Sequence, residues 1–284
     1  MKKRTIKKIV TGRRTEDGAG VKLVRVISRR DAKEFDPFLM LDAFDSVDPA
    51  DYTKGFPWHP HRGIETITYL VEGEIAHGDS LGNKGSILSG GCQWMTAGSG
   101  IIHQEMPKAS PRMLGLQLWL NLPAKDKMTE PKYNDLVQSA IPVACDAQSK
   151  VHIIAGTYAD QQGAFAGQHI KPLLLDVELQ PKTTWSLPVP HNDTVFFYIL
   201  SGAASFEEDG ELLEARQALL FTAGDQIEVT TGEQAVRFFV MAASPLREPI
   251  AWGGPIVMNT DEELELAFKE LQDNTFIKHK NIVL

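Results

Sequence analysis

Trp58-His59-Pro60-His61-Arg62-Gly63-Ile64-Glu65-Thr66 decides the reading of this chain, together with its echo at Gly98-Ser99-Gly100-Ile101-Ile102-His103-Gln104-Glu105. Each stretch holds two potential metal ligands two positions apart, His59 with His61 and His103 with Glu105. Side chains alternate faces along a β-strand, so each pair points to one side of its sheet. If both strands line the inside of one barrel, three imidazoles and a carboxylate converge. A single His-x-His is a common accident. A second ligand pair at the same spacing, beyond several strand signals, makes a metal site the stronger reading. Glu65 is a competing source of the carboxylate, but it shares a face with His59 and His61 only if Gly63 introduces no bulge. Glu105 is preferred, with Glu65 behind a ligand imidazole.

Three neutral imidazoles and a carboxylate favour a borderline divalent ion over calcium or magnesium: iron, manganese, nickel, copper, zinc or cobalt. Four protein ligands on an octahedral ion leave two positions open. A ferrous ion with open positions accepts a bidentate enol or catechol-type oxygen donor, dioxygen, or both, which points to a dioxygenase. A structural metal would have a closed, usually cysteine-rich sphere. Glu105, or else Glu65, doubles as the candidate catalytic base for an enolic hydroxyl.

Around these stretches the chain is a run of short strand signals with turns at close intervals, the pattern of an all-β barrel or sandwich. Lys22–Ile27, the dense apolar run Phe35–Phe44, Glu65–Leu70, Ile75–His77, the stretch at Ile102 and Leu114–Leu120 read as strands. Gly78–Gly85 reads as a hairpin loop. Asn121–Gln148, punctuated by Pro123, Pro131 and Pro142, reads as an inter-domain connection with irregular structure. Strands resume at Val151. The expected domains are therefore 1–125, carrying the metal, a connection at 126–150, and 151–284. The halves resemble one another: Ile67–Gly73 lies over Phe196–Gly202, and Thr96-Ala97-Gly98 over Thr222-Ala223-Gly224. This is duplication of a barrel. On that alignment His59 and His61 fall on Pro188 and Pro190, and His103 and Glu105 on Val229 and Thr231, none of them a side-chain ligand except, weakly, Thr231, so the second barrel is expected to have lost the metal. Thr260 caps one helix at about residues 261–272, with acidic residues in its first turn and a stripe of Leu264, Ala267, Phe268 and Leu271 facing the barrel.

The chain has 284 residues, with 43% hydrophobic and 23% charged, which argues against wholesale disorder. Its net charge of −8 is uneven: residues 1–33 hold 12 Lys and Arg against 3 Asp and Glu. No aromatic residues interleave with that basic start, so direct nucleic-acid binding is not the expectation, and Arg25, Arg29 and Arg30 read as exposed faces of early strands. Cys92 and Cys145, the only cysteines, cannot build a disulfide framework, and Cys92 beside Trp94 reads as a small buried side chain. With no signal-like or membrane-length apolar stretch, the expected compartment is the cytosol. His77, His152, His169, His191 and His279 have no partner at ligand spacing and read as surface or satisfied core residues.

These residues resemble the cupin superfamily, and more narrowly the pirin family. His59-Pro60-His61-Arg62-Gly63 with Glu65-Thr66, then His103-Gln104-Glu105, match the pirin form of the two cupin motifs. The Phe38-Leu39-Met40-Leu41-Asp42 strand and Gly253–Thr260 before the last helix also match. Gly98, where cupins often have proline, and Glu105 beyond His103 depart from the general pattern in a pirin-like way. The resemblance covers nearly the whole chain. It implies two tandem jelly-roll-like cupin barrels with a short C-terminal helix, and iron held by His59, His61, His103 and Glu105. It also implies one of two roles. The first is quercetin 2,3-dioxygenase-type cleavage of a flavonol by dioxygen. The second is an iron- or redox-sensing regulator acting through protein partners. A zinc or manganese sugar isomerase is a third, weaker expectation.

Overall fold

Strand alternation in the sequence becomes two antiparallel β-barrel units in the computed structural model, which describes residues 1–208 and 210–279. One unit, the histidine unit, comprises Arg13–Ala32, Phe38–Gln138 and Leu246–Leu284. The other, the apolar unit, comprises Met1–Gly12, Lys33–Pro37 and Ser139–Pro245. This division differs from the expected 1–125 and 151–284 at both ends of the chain; residues 280–284 lie outside the described residues. The cause is strand pairing. Ile6–Thr11 runs antiparallel to Gln217–Phe221, and Ile256 bridges Arg62, so each unit recruits a segment from the far end of the chain.

The histidine unit sets a seven-stranded sheet against a four-stranded one. The larger has the order Lys132–Leu136, Cys92–Thr96, Ile64–Glu72, Met113–Asn121, Phe38–Ser46, Val21–Ile27, Arg13–Asp17. The smaller has the order Phe56–His61, Ile101–Pro107, Glu74–Asp79, Lys84–Leu88. Among its buried apolar residues, Leu39, Met95, Trp119 and Trp252 belong to one cluster and Leu23, Phe44, Leu70 and Ile87 to another. In the apolar unit, by contrast, a cluster from Val151 through Phe197 to Phe238 fills the centre, with the Phe197 and Phe238 rings stacked at 5.2 Å.

Several expectations shift by a few residues, and two change in kind. The Phe35–Phe44 run splits: Phe38–Ser46 is the strand, while Phe35 packs edge-on against Phe196 in the apolar unit. Asn121–Gln148 does more than connect. Lys132–Leu136 adds an edge strand to the histidine unit, and Val143–Cys145 adds one to the apolar unit. Both are polar or short, as edge strands are when they must not pair with other chains. The basic start is largely paired within the fold: Lys8 with Glu34, Lys22 with Asp51, and the buried Arg4 with the carbonyls of Pro190, His191, Asp193, Thr222 and Gly224.

The Asp261–Gln272 helix forms as expected. Thr260 and Glu263 make a reciprocal capping box, and Ala267 is buried with Leu264 and Leu271 against Ile256, Met258 and Phe276. Phe268 lies at the edge of that contact, 38% exposed. No described helix is long and apolar enough to cross a membrane.

Candidate metal centre

Ile101–Pro107 alternates buried and half-buried side chains without a break, which turns Ile101, His103, Glu105 and Pro107 inward. Its antiparallel neighbour Phe56–His61 sets His59 directly opposite His103 and His61 opposite Ile101. The register shifts between His103 and Glu105, so Glu105 faces Phe56. Three imidazoles thus converge. The potential ligand atoms of His59, His61 and His103 all lie within 4.8 Å of one another, and the ring centroids are 4.3–5.0 Å apart.

The ring nitrogens are sorted by their surroundings. His59 Nδ1 lies 2.8 Å from the Pro57 carbonyl and His61 Nδ1 3.0 Å from that of Pro255. A carbonyl only accepts, so each Nδ1 carries the proton and each Nε2 keeps its lone pair. Burial, reinforced by His59, pushes the His61 pKa down to about 3. Burial and the other imidazoles hold His103 well below 6.5. His103 is fully buried, with no hydrogen-bond partner at either ring nitrogen. An unsatisfied buried polar group is costly, and a divalent ion is the partner this donor set fits.

Glu105 is buried on the same inward face but is not among the gathered ligand atoms. Gln117 Nε2 donates to its two oxygens at 2.8 and 3.1 Å, and Thr68 Oγ1 donates at 3.1 Å. Glu65 stands elsewhere. Gly63, at φ +76°, turns the chain out of the four-stranded sheet, and Ile64–Glu72 continues in the seven-stranded one. There the fully buried Glu65 accepts a 2.7 Å hydrogen bond from Thr96. A Cβ at Gly63 would come within 2.0 Å of the Val257 carbonyl oxygen, so only glycine fits this corner. Buried Lys127 pins the same corner by donating to the carbonyls of Gly63 and Val257 and to Asn121 Oδ1; burial lowers its pKa to about 7.

Sequence reading missed two features. His77 is buried, with its ring centroid 5.5 Å from that of His103, its Nε2 3.2 Å from Asp79, and its ring stacked on Tyr133. The available signal was another two-residue spacing, His77-x-Asp79, on the strand next to the second ligand pair. The other feature is the C-terminal segment. Besides Pro255, it supplies Trp252, which packs 5.9 Å from Trp119; Trp119 in turn stands edge-on to His61 at 5.0 Å. No local pattern announces a contact across 194 residues. A cavity of about 640 Å³ opens over His59 and His61, lined among others by Trp58, Trp119 and Trp252 and by Arg25, Arg29 and Asp42.

The apolar unit holds no comparable group among its described residues. Pro188 and Pro190, aligned with His59 and His61, are exposed, and the inward positions are Leu187 and Val189, one residue out of step with the sequence alignment. Val229 is inward as aligned, opposite Trp185.

Two antiparallel barrels on one chain, with imidazoles gathered inside only one of them, define a bicupin. The family model named Pirin matches residues 20–120, and the one described as the Pirin C-terminal cupin domain matches 174–277. A pirin-like protein from Caulobacter vibrioides is 41% identical over 96% of this chain and 99% of its own. A Pseudomonas aeruginosa protein, provisionally named a quercetin 2,3-dioxygenase, is 41% identical over 95% of this chain and 97% of its own. The crystal structure of a quercetin 2,3-dioxygenase from Acinetobacter baumannii superposes with a TM-score of 0.89 at 31% identity, covering 99% of this chain and 100% of that one. The chain belongs to the pirin family.

Proposed function

We propose that this pirin is a metal-dependent dioxygenase cleaving a flavonol or similar enolic substrate in the manner of quercetin 2,3-dioxygenases. His59, His61, His103 and Glu105 would hold one ferrous ion; the same donors also suit manganese, nickel, copper, zinc or cobalt. The observation that carries the reading is His103, buried with both ring nitrogens unpartnered beside two imidazoles whose Nδ1 protons are already committed. The names carried by relatives and by the Acinetobacter structure support the choice of reaction.

Iron bound there would supply Lewis acidity to a pair of enolic oxygens and redox chemistry with dioxygen. The remaining roles fall to the chain itself. Trp119 and Trp252 offer aromatic faces for a flat ring system beside His61. Glu105 takes the enolic proton, and the donors of Gln117 and Thr68 hold its carboxylate in place while it does so. Gln117 also lines the cavity, so the proton acceptor and the substrate space share one side chain.

The test is oxygen uptake on adding quercetin to protein reconstituted with ferrous iron in the absence of air. Uptake should require the metal and disappear in His59→Ala. Glu105→Gln should lose about 100-fold or more in turnover, the low end for a displaced general base. Fully loaded protein that consumes no oxygen would overturn the flavonol assignment.

A further inference from the structure

The cavity above the imidazoles is unevenly furnished. Besides its aromatic residues, the lining includes two guanidinium groups and two carboxylates, Arg25, Arg29, Asp17 and Asp42. The formal charges of these four groups cancel, but their hydrogen-bonding capacity is not balanced. Arg25 grips Asp42 through Nε and Nη2 at 2.9 and 2.7 Å, occupying both carboxylate oxygens. Nη2 also reaches one oxygen of Asp17 at 2.6 Å, and the Gly18 amide donates to the other at 2.7 Å. Each of these four oxygens therefore already accepts a bond. What is left over is cationic donors. Among the described residues, Nη1 of Arg25 makes no hydrogen bond, and the exposed Arg29 makes no hydrogen bond or ion pair. A planar guanidinium with free N–H groups matches a carboxylate bidentately. The volume of about 640 Å³ suits a ligand of several fused or linked rings.

We propose that the substrate of this centre carries a carboxylate remote from its enolic oxygens, seated on Arg29 and the free Nη1 edge of Arg25. The substrate class is then an aromatic or conjugated enol bearing a carboxylic acid, of which quercetin is a neutral analogue. The inference rests on the dioxygenase reading for the enolic end only. Recognition of the anion needs no turnover.

Three tryptophans wall the cavity, so binding is read by quenching of their fluorescence, in iron-loaded protein kept free of oxygen. The probes are a 3-hydroxyflavone carboxylic acid and its methyl ester. The acid should bind about tenfold more tightly than the ester, the scale of one hydrogen-bonded charge pair. In Arg29→Ala, at an exposed position, that preference should fall to within about twofold. Equal binding of acid and ester by the unaltered protein overturns the proposal, as does a preference that survives Arg29→Ala. Admitting air separates the two readings. A retained acid preference with no oxygen uptake for either probe upholds the anion subsite and removes the dioxygenase. Uptake with the ester binding as well as the acid does the reverse.

Discussion

Burial strips water from the His61 and His103 imidazoles and holds both neutral far below their ordinary 6.5. In the metal-free protein this sets a pH dependence of stability. Between about 3 and 6.5 the unfolded chain binds a proton at His61 that the folded chain does not. Stability therefore rises with pH across that window and is lost as pH falls through it, by up to about 1.4 kcal/mol per pH unit for each such proton. Urea midpoints of the metal-free protein at pH 7.5, 6.0 and 5.0 should decline in that order, with a shallower decline in His103→Leu. Midpoints that do not move would contradict the burial argument. Gly98 also makes its case at this scale. Its φ is +49°, and a Cβ there would lie 2.2 Å from the Thr129 carbonyl oxygen. Proline, confined to φ near −65°, cannot take this turn, which accounts for the departure from the general cupin pattern.

Strands dense in β-branched and aromatic residues, such as Ile64–Glu72, are legible in the amino-acid sequence by themselves. In Ile101–Pro107 the His103-x-Glu105 spacing alone marks the inward face, and the capping box at Thr260 announces the helix. Lys132–Leu136 is not legible: only Leu136 is fully buried, so its hydrophobic pattern is weak and the flanking prolines dominate the reading. The candidate ligands are legible because two-residue spacing survives translation into three dimensions. Their fixings are not, because Pro255 and Phe276 reach the site by tertiary contact alone. Arg62 illustrates this. Next to His61 in sequence, it lies buried with its guanidinium 4.1 Å from the Phe276 ring centroid, donating to the Phe276 carbonyl and pairing with Glu270 at 2.8 Å. Phe276→Ala should cost about 3–4 kcal/mol through the lost ring and its cation contact, while Leu266→Ala on the exposed helix face should cost less than about 0.5 kcal/mol. Thermal unfolding checks both. If the segment steadies His61, a chelator should also draw metal faster from Phe276→Ala than from Leu266→Ala.

At the scale of the molecule, two copies of one architecture have been furnished differently. Positions that hold imidazoles in the histidine unit meet aliphatic side chains in the apolar unit, where Leu187, Val189, Ile227 and Val229 belong to an unbroken hydrophobic cluster. A polar site inside a barrel takes positions that apolar side chains would otherwise fill, and in the histidine unit the fully buried His103 holds one of them with neither ring nitrogen hydrogen-bonded. Binding an ion should offset that cost. The expected stoichiometry is one divalent ion per chain, read by native mass spectrometry, and loading at a hundredfold excess over Kd should stabilise the binding unit by about 2.7 kcal/mol. Two tightly held ions per chain would refute the assignment of the second barrel as purely structural.

The order in which the chain is spelled matters for how it is made. A ribosome releases His59, His61 and His103 long before Pro255, whose carbonyl orients His61, and before Phe276, which sits against Arg62. Likewise Ile6–Thr11 emerges first yet waits for Gln217–Phe221 to close its sheet edge. The apolar unit has all its segments once Pro245 is made, whereas the histidine unit must wait for the segment that follows, so the unit that emerges largely first is completed last. A nascent chain halted at residue 245 would carry all three imidazoles on two strands, with His61 still lacking the carbonyl that orients it.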